Sequence, residues 1–172
     1  MNSQTWRIVG RFALLMAIQL LVLNYVYLGG YVMPMLYVLF VLMLPTGMKR
    51  IPLLLIAFGT GLLMDVMSNA LGFHALACTV LAMMRIWFAD RILTRGEPVT
   101  VQTPSVYSVT PQYFISYLML MLAAFYLVFY TIELFGFRSF GGVILATVAS
   151  TVVTTMLAVL YQYIFLKKET TV

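Results

Sequence analysis

Charge is scarce in this chain. Asp, Glu, Lys and Arg make up 9% of its 172 residues, against about 25% in an average soluble domain. There is one histidine, His74, and one cysteine, Cys78. A lone cysteine excludes an intramolecular disulfide. Cys78 lies inside an apolar run, where a free cysteine behaves as a small packing residue. No Cys/His spacing of a zinc or iron–sulfur site occurs. No HExxH, P-loop or Ser-His-Asp set occurs either. The residues therefore lead to the expectation of a non-enzymatic protein with no catalytic residue, metal or cofactor. Asp65 and His74 alone identify neither a nucleophile nor a substrate pocket.

What the chain does have is apolar surface, with 63% hydrophobic residues. A soluble fold of this size keeps too large a surface-to-volume ratio to hide that much. Lipid is the natural solvent. The expected architecture is all-α, a single polytopic transmembrane domain over residues 1–172. The net charge of +5 invites a nucleic-acid reading, but the basic residues sit in small clusters between long apolar runs. Nucleic-acid binding needs a continuous basic patch or stripe, so no nucleic-acid partner is expected.

Six spans are expected, over residues 8–28, 31–44, 51–67, 71–89, 113–135 and 140–166. The first is too long for the apolar core of a signal peptide and lacks a clear cleavage site, so it reads as a retained helix. Gly29-Gly30 ends it. The second is short. Fourteen residues of helix cover about 21 Å, whereas a crossing needs about 20 residues. It either borrows flanking residues or is broken. Pro52 suits the first turn of the third helix, where its missing N–H costs nothing. Residues 90–112 hold four charges and three prolines and read as a cytoplasmic loop.

Six crossings place Arg7, Arg11, Lys49, Arg50, Arg91, Arg95, Lys167 and Lys168 on one side and only Arg138 on the other. That bias puts both termini in the cytoplasm. Arg85, near the cytoplasmic end of the fourth span, is expected to snorkel outward. Trp6, Trp87, Tyr113 and Tyr161 lie near span ends, as interfacial aromatics do.

Four ionisable residues gather toward the non-cytoplasmic ends of the spans: Asp65, His74, Glu133 and Arg138. Charges in lipid face other helices or water, so these are candidates for a polar cluster or partner site. The preferred explanations are a structural latch for Asp65–His74 and interfacial positions for Glu133 and Arg138. Ala57, Gly61 and Asp65 share one helix face. Tyr126, Tyr130 and Glu133 share another, which reads as tyrosines at headgroup level, with a polar groove as the alternative. In the sixth span Gly142, Ala146, Ser150, Thr154 and Ala158 recur every four residues. Such small-residue stripes permit close helix approach, within the chain or against a partner's helix. Gln19 and Asn24 place amides at mid-depth, to bond across helices or line a cavity.

The run from Gly59 to Leu76, Gly-Thr-Gly-Leu-Leu-Met-Asp-Val-Met-Ser-Asn-Ala-Leu-Gly-Phe-His-Ala-Leu, resembles the rod-shape-determining protein MreD family. The matching positions are Gly61, Asp65, Leu71, Gly72 and His74, and the Ser68-Asn69-Ala70 turn is poorer in Gly and Pro than that family's. The resemblance implies a multi-pass protein of the bacterial cytoplasmic (inner) membrane within the cell-wall elongation machinery. It implies a scaffold that binds the single-span protein MreC, and an association with the MreB filament, RodA and a class-B penicillin-binding protein. The core of that family is similar to the substrate-binding subunits of energy-coupling-factor transporters. The alternative expectation is therefore a solute-binding membrane subunit of a transporter.

Overall fold

The computed structural model describes residues 3–25, 32–45, 47–93, 104, 110–133 and 140–165. Most of these residues are helical. Helix α1 is Ser3–Leu21, followed by a 3-10 turn at Leu23–Tyr25; α2 is Val38–Leu42, α3 Arg50–Ser68, α4 Phe73–Leu93, α5 Pro111–Glu133 and α6 Phe140–Phe165. The Gly29-Gly30 break, most of the loop after α4, Arg138 and the last seven residues lie outside the described residues.

Four stretches are long and apolar enough to cross a bilayer: Trp6–Tyr25, α3, α5 and α6. Phe73–Trp87 in α4 adds a shorter apolar stretch. The surface agrees with lipid as solvent. Helix α6 exposes Ile144, Leu145, Val148, Met156 and Leu160, and buries Ser150, Thr151, Thr154 and Thr155. In water that distribution is inside out. In lipid, small polar residues belong at helix–helix contacts and large apolar ones outside.

Successive helices α3, α4, α5 and α6 each pack on the next. The α3–α4 turn follows from its sequence. Asn69 closes α3 in the left-handed region, at φ 51° and ψ 36°, a conformation that Asn tolerates better than most residues. Gly72 takes φ +92°, which a side chain would resist. Pro52 sits in the first turn of α3, as expected, and Pro111 opens α5, where its fixed φ is already helical.

The second span departs from a simple helix. Only five residues, Val38–Leu42, are α-helical, and Met33–Pro34-Met35 is irregular. The whole run from Pro34 to Leu44 is buried. It threads the centre of the bundle, with α2 touching α1, α3, α4 and α5.

Its contacts fix its direction. On α6, Ser150 meets Met33 and Gln162 meets Met43, a separation of about 18 Å along the axis. On α4, His74 meets Tyr37 and Arg85 meets Leu44. On α5 the order reverses, with Tyr126 at Met33 and Met35 and Tyr117 at Leu42. On α1 it reverses as well, with Gln19 at Pro34 and Leu36 and Phe12 packed on Phe40. The segment thus runs parallel to α4 and α6 and antiparallel to α1 and α5.

Candidate functional site

Irregular backbone inside a membrane must find its hydrogen bonds in the protein. Here side chains supply them. Gln19 donates through Nε2 to the Pro34 carbonyl (3.1 Å) and accepts the Leu36 N–H on Oε1 (2.7 Å). The Tyr126 hydroxyl donates to the Met33 carbonyl (2.9 Å) and accepts the Met35 N–H (2.8 Å). A hydroxyl has one proton, so Thr154, 2.6 Å away, donates to it. Ser150 accepts the Met33 N–H at 3.3 Å and pairs with Tyr130 at 2.7 Å. At the other end Arg85 donates to the Leu44 carbonyl.

These contacts correct three expectations. Tyr126 and Tyr130 are core residues, turned into the bundle and not outward to headgroups. Their hydroxyls serve the broken span, and the nearly uniform hydrophobicity of α5 hides which face turns inward. Arg85 does not snorkel: it is 2% exposed, because the open carbonyl at the end of α2 offers it an acceptor inside the bundle. Tyr161 is buried and stacks on Phe165 at 5.1 Å, so it packs inside the bundle and does not face headgroups. Trp6 and Trp87 are exposed, as expected.

The small stripe of α6 faces inward. Ala146, Ser150, Thr154 and Ala158 are buried and Gly142 is partly so. Ser150 and Thr154 are occupied from within by Tyr130, Tyr126 and Met33. This face therefore packs within the chain and is closed to a partner's helix.

Asp65 and His74 do meet, though not side chain to side chain. The Asp65 carboxylate accepts the backbone N–H groups of His74 (3.0 Å) and Ala75 (2.8 Å). It caps the first turn of α4, where the helix dipole favours a negative charge. The Asp65 carbonyl accepts the N–H groups of Asn69 and Ala70 at the end of α3. One residue thus closes one helix and opens the next. Gly61 is the other half of the latch. A Cβ there would lie 2.4 Å from the His74 carbonyl oxygen and 2.5 Å from the Ala75 Cα. Ala57, Gly61 and Asp65 are all buried on this face, as their spacing predicts. Leu71 sits on the turn, 87% exposed.

The His74 ring turns inward. Its Nδ1 is 2.8 Å from the Tyr37 hydroxyl, and Phe129 lies at 4.7 Å, tilted 36°. Cys78 is buried below, its Sγ 4.0 Å from the same hydroxyl, a packing role as expected.

Above this layer lies a cleft of about 400 Å³. Its wall is built from the turn after α1 (Leu23, Asn24), the irregular Met33–Met35, the α3–α4 turn (Ser68, Asn69, Ala70), the start of α4 (Phe73, His74) and the end of α5 (Phe129, Glu133). The cleft brings His74 and Glu133 to one space, with Gln19 and Asn24 at its side. Asp65 is withheld from it by its capping bonds, and Arg138 lies outside the described residues. Sequence reasoning missed Tyr37, Phe129 and Tyr117. For Phe129 and Tyr117 the available signal was the density of aromatics on α5, a signal that does not reach Tyr37 on the second span. Among the described residues no group of three or more His, Cys, Asp or Glu side chains could hold a metal ion.

Comparison with known proteins gives no match to a family model, a curated protein or a solved structure.

Proposed function

We propose that this chain is a non-enzymatic, six-span scaffold of the bacterial cytoplasmic membrane, acting in the cell-wall elongation machinery as the MreD-family motif implies. The observation that carries the reading is the α3–α4 hairpin. The motif positions Gly61, Asp65, Gly72 and His74 each have a physical duty there: close approach, double capping, a positive φ and a ring bond to the second span. The hairpin presents Leu71 beyond the bundle end.

Both termini lie in the cytoplasm in this reading. The alternating directions of α1, the second span and α4 to α6 support it, as does the basic side of the sequence. The partner that fits is the transmembrane and juxtamembrane part of MreC, seated on the lipid-facing side and not on the α6 stripe. MreB, RodA and the class-B penicillin-binding protein would follow through that complex. Affinity purification from native membranes tests the reading. Retention of a single-span partner, together with rescue of rod shape by the chain, supports it; recovery of the chain alone, with no rescue, overturns it.

The second reading, a solute-binding subunit of a transporter, draws on the cleft. Its volume lies within the usual range for small-molecule sites. Co-purification with an ATPase module in place of wall-synthesis proteins would favour it.

A further inference from the structure

The cleft has a consistent electrostatic character. Glu133 supplies a carboxylate, and the remaining polar side chains in the wall are neutral: Asn24, Ser68, Asn69, His74 and Gln19. No lysine or arginine lines it among the described residues. Backbone dipoles act in the same direction. Asn24 follows the end of α1 and Ser68 ends α3. Each helix C-terminus carries about half a negative charge. The one helix N-terminus in the wall, that of α4, already has its positive end answered by Asp65. Phe73 and Phe129 add aromatic rings, whose faces attract cations, and Met33 and Met35 add apolar wall.

The geometry points to a binding site for a ligand with a primary ammonium group attached to an apolar body. The ammonium sits toward Glu133 and the two helix ends, and the body lies against Phe73, Phe129 and Met33. Glu133 is itself engaged within the fold, and a carboxylate accepts from several donors at once. Among the described residues of the wall an anion meets no basic side chain. Such an ammonium comes from a free amine or from the headgroup of phosphatidylethanolamine, whose phosphate would stay outside the cleft, toward water. The assignment concerns the cleft itself and holds whether the chain acts as a scaffold or as a solute-binding subunit.

The test uses the full chain, purified in detergent and in nanodiscs. Phenethylamine is titrated while the thermal midpoint is read, with 2-phenylethanol and phenylacetate as neutral and anionic controls. Saturable stabilisation by the amine is expected, with binding at least about tenfold weaker for both controls, the usual worth of a charge-assisted hydrogen bond. Glu133→Gln should weaken the amine by a similar factor, with unchanged helix content by circular dichroism. If that variant fails to fold, Ala70→Phe, which fills the cleft from its exposed rim, replaces it. In parallel, native mass spectrometry compares retention of phosphatidylethanolamine and phosphatidylglycerol. Selective retention of the ethanolamine lipid, lost in the variant, identifies a headgroup as the source, and binding of the free amine alone identifies a soluble one. Equal response to amine and alcohol, or no saturable response with no lipid preference, overturns the assignment. A chain that binds no amine but still recovers a single-span partner loses only this site and keeps the proposed scaffold.

Discussion

Asp65 reaches His74 through the backbone: its Oδ1 accepts the His74 N–H at 3.0 Å, and the imidazole turns away to Tyr37. The carboxylate is therefore a cap and the imidazole a core residue. Two charge-assisted bonds depend on the carboxylate. Replacing a capping residue costs typically about 1 kcal/mol, and a bond to a charged group is worth about 1.5–3 kcal/mol. Asp65→Ala should destabilise the bundle by about 2–4 kcal/mol. Glu133→Ala, at the partly buried end of α5, should cost less. Reversible unfolding in mixed micelles measures both. Equal losses would show that Asp65 does not hold the hairpin.

Gly61 and Gly59 lie two residues apart on α3, and their surroundings differ. A Cβ at Gly61 strikes backbone atoms of His74 and Ala75, whereas at Gly59 it meets nothing within 4 Å. Gly61→Ala should force α3 and α4 apart and cost about 1–3 kcal/mol, as overpacking does. Gly59→Ala should be neutral or stabilising by up to about 1 kcal/mol, because alanine is the better helix former. Midpoint shifts of the same sign for both would contradict the close approach.

Tyr126 is the main support of the broken span. Tyr126→Phe keeps the ring and leaves the Met33 carbonyl and Met35 N–H without their hydroxyl partner. Each buried group so orphaned costs about 1–3 kcal/mol. The variant should lose at least that amount, with raised hydrogen exchange in Met33–Leu36. A Tyr126→Phe protein that unfolds like the parent would remove the hydroxyl from this account.

On α6 the two faces should respond in opposite ways to added bulk. Thr154→Phe and Ser150→Phe insert a ring where Tyr126, Tyr130 and Met33 already sit. They should lower stability by about 1–3 kcal/mol or more. Val148→Phe, on the lipid face, should be tolerated. Loss of a partner at position 148 without loss of stability would locate a docking surface there.

Lys49 and Asn69 should label from opposite sides of the membrane. Both are exposed and lie at opposite ends of α3. In a Cys78→Ser background, Lys49→Cys should react only from the cytoplasm and Asn69→Cys only from outside. Both reacting from one side would exclude α3 as a crossing.

The long helices were legible because their punctuation was local. The expected third span, 51–67, is Arg50–Ser68 in the structure, bounded by Lys49-Arg50 and by the Asn69 turn. The fifth begins two residues early, at Pro111, and the sixth begins at Phe140 as expected; their expected last residues lie outside the described residues. The fourth begins at Phe73 and its helix continues to Leu93, into the charged stretch read as loop. The Gly61–Asp65 face was legible from its spacing. The second span announced a problem by its length, but its partners are distant in sequence, from Gln19 to Gln162. For the same reason Tyr126 and Arg85 were misplaced: an apolar run shows that a helix enters lipid, and not which of its polar atoms another segment needs.

That dependence bears on how the protein is made. When Met33–Leu36 leaves the ribosome, only Gln19 among its partners has been synthesised. Tyr126, Ser150 and Thr154 follow about a hundred residues later. At roughly 5–20 residues per second, the irregular stretch waits many seconds with open amides that hydrocarbon does not solvate. The second span therefore settles in its final position only after the last helix arrives, and a chain truncated before α5 leaves it without a home, a natural target for membrane quality control.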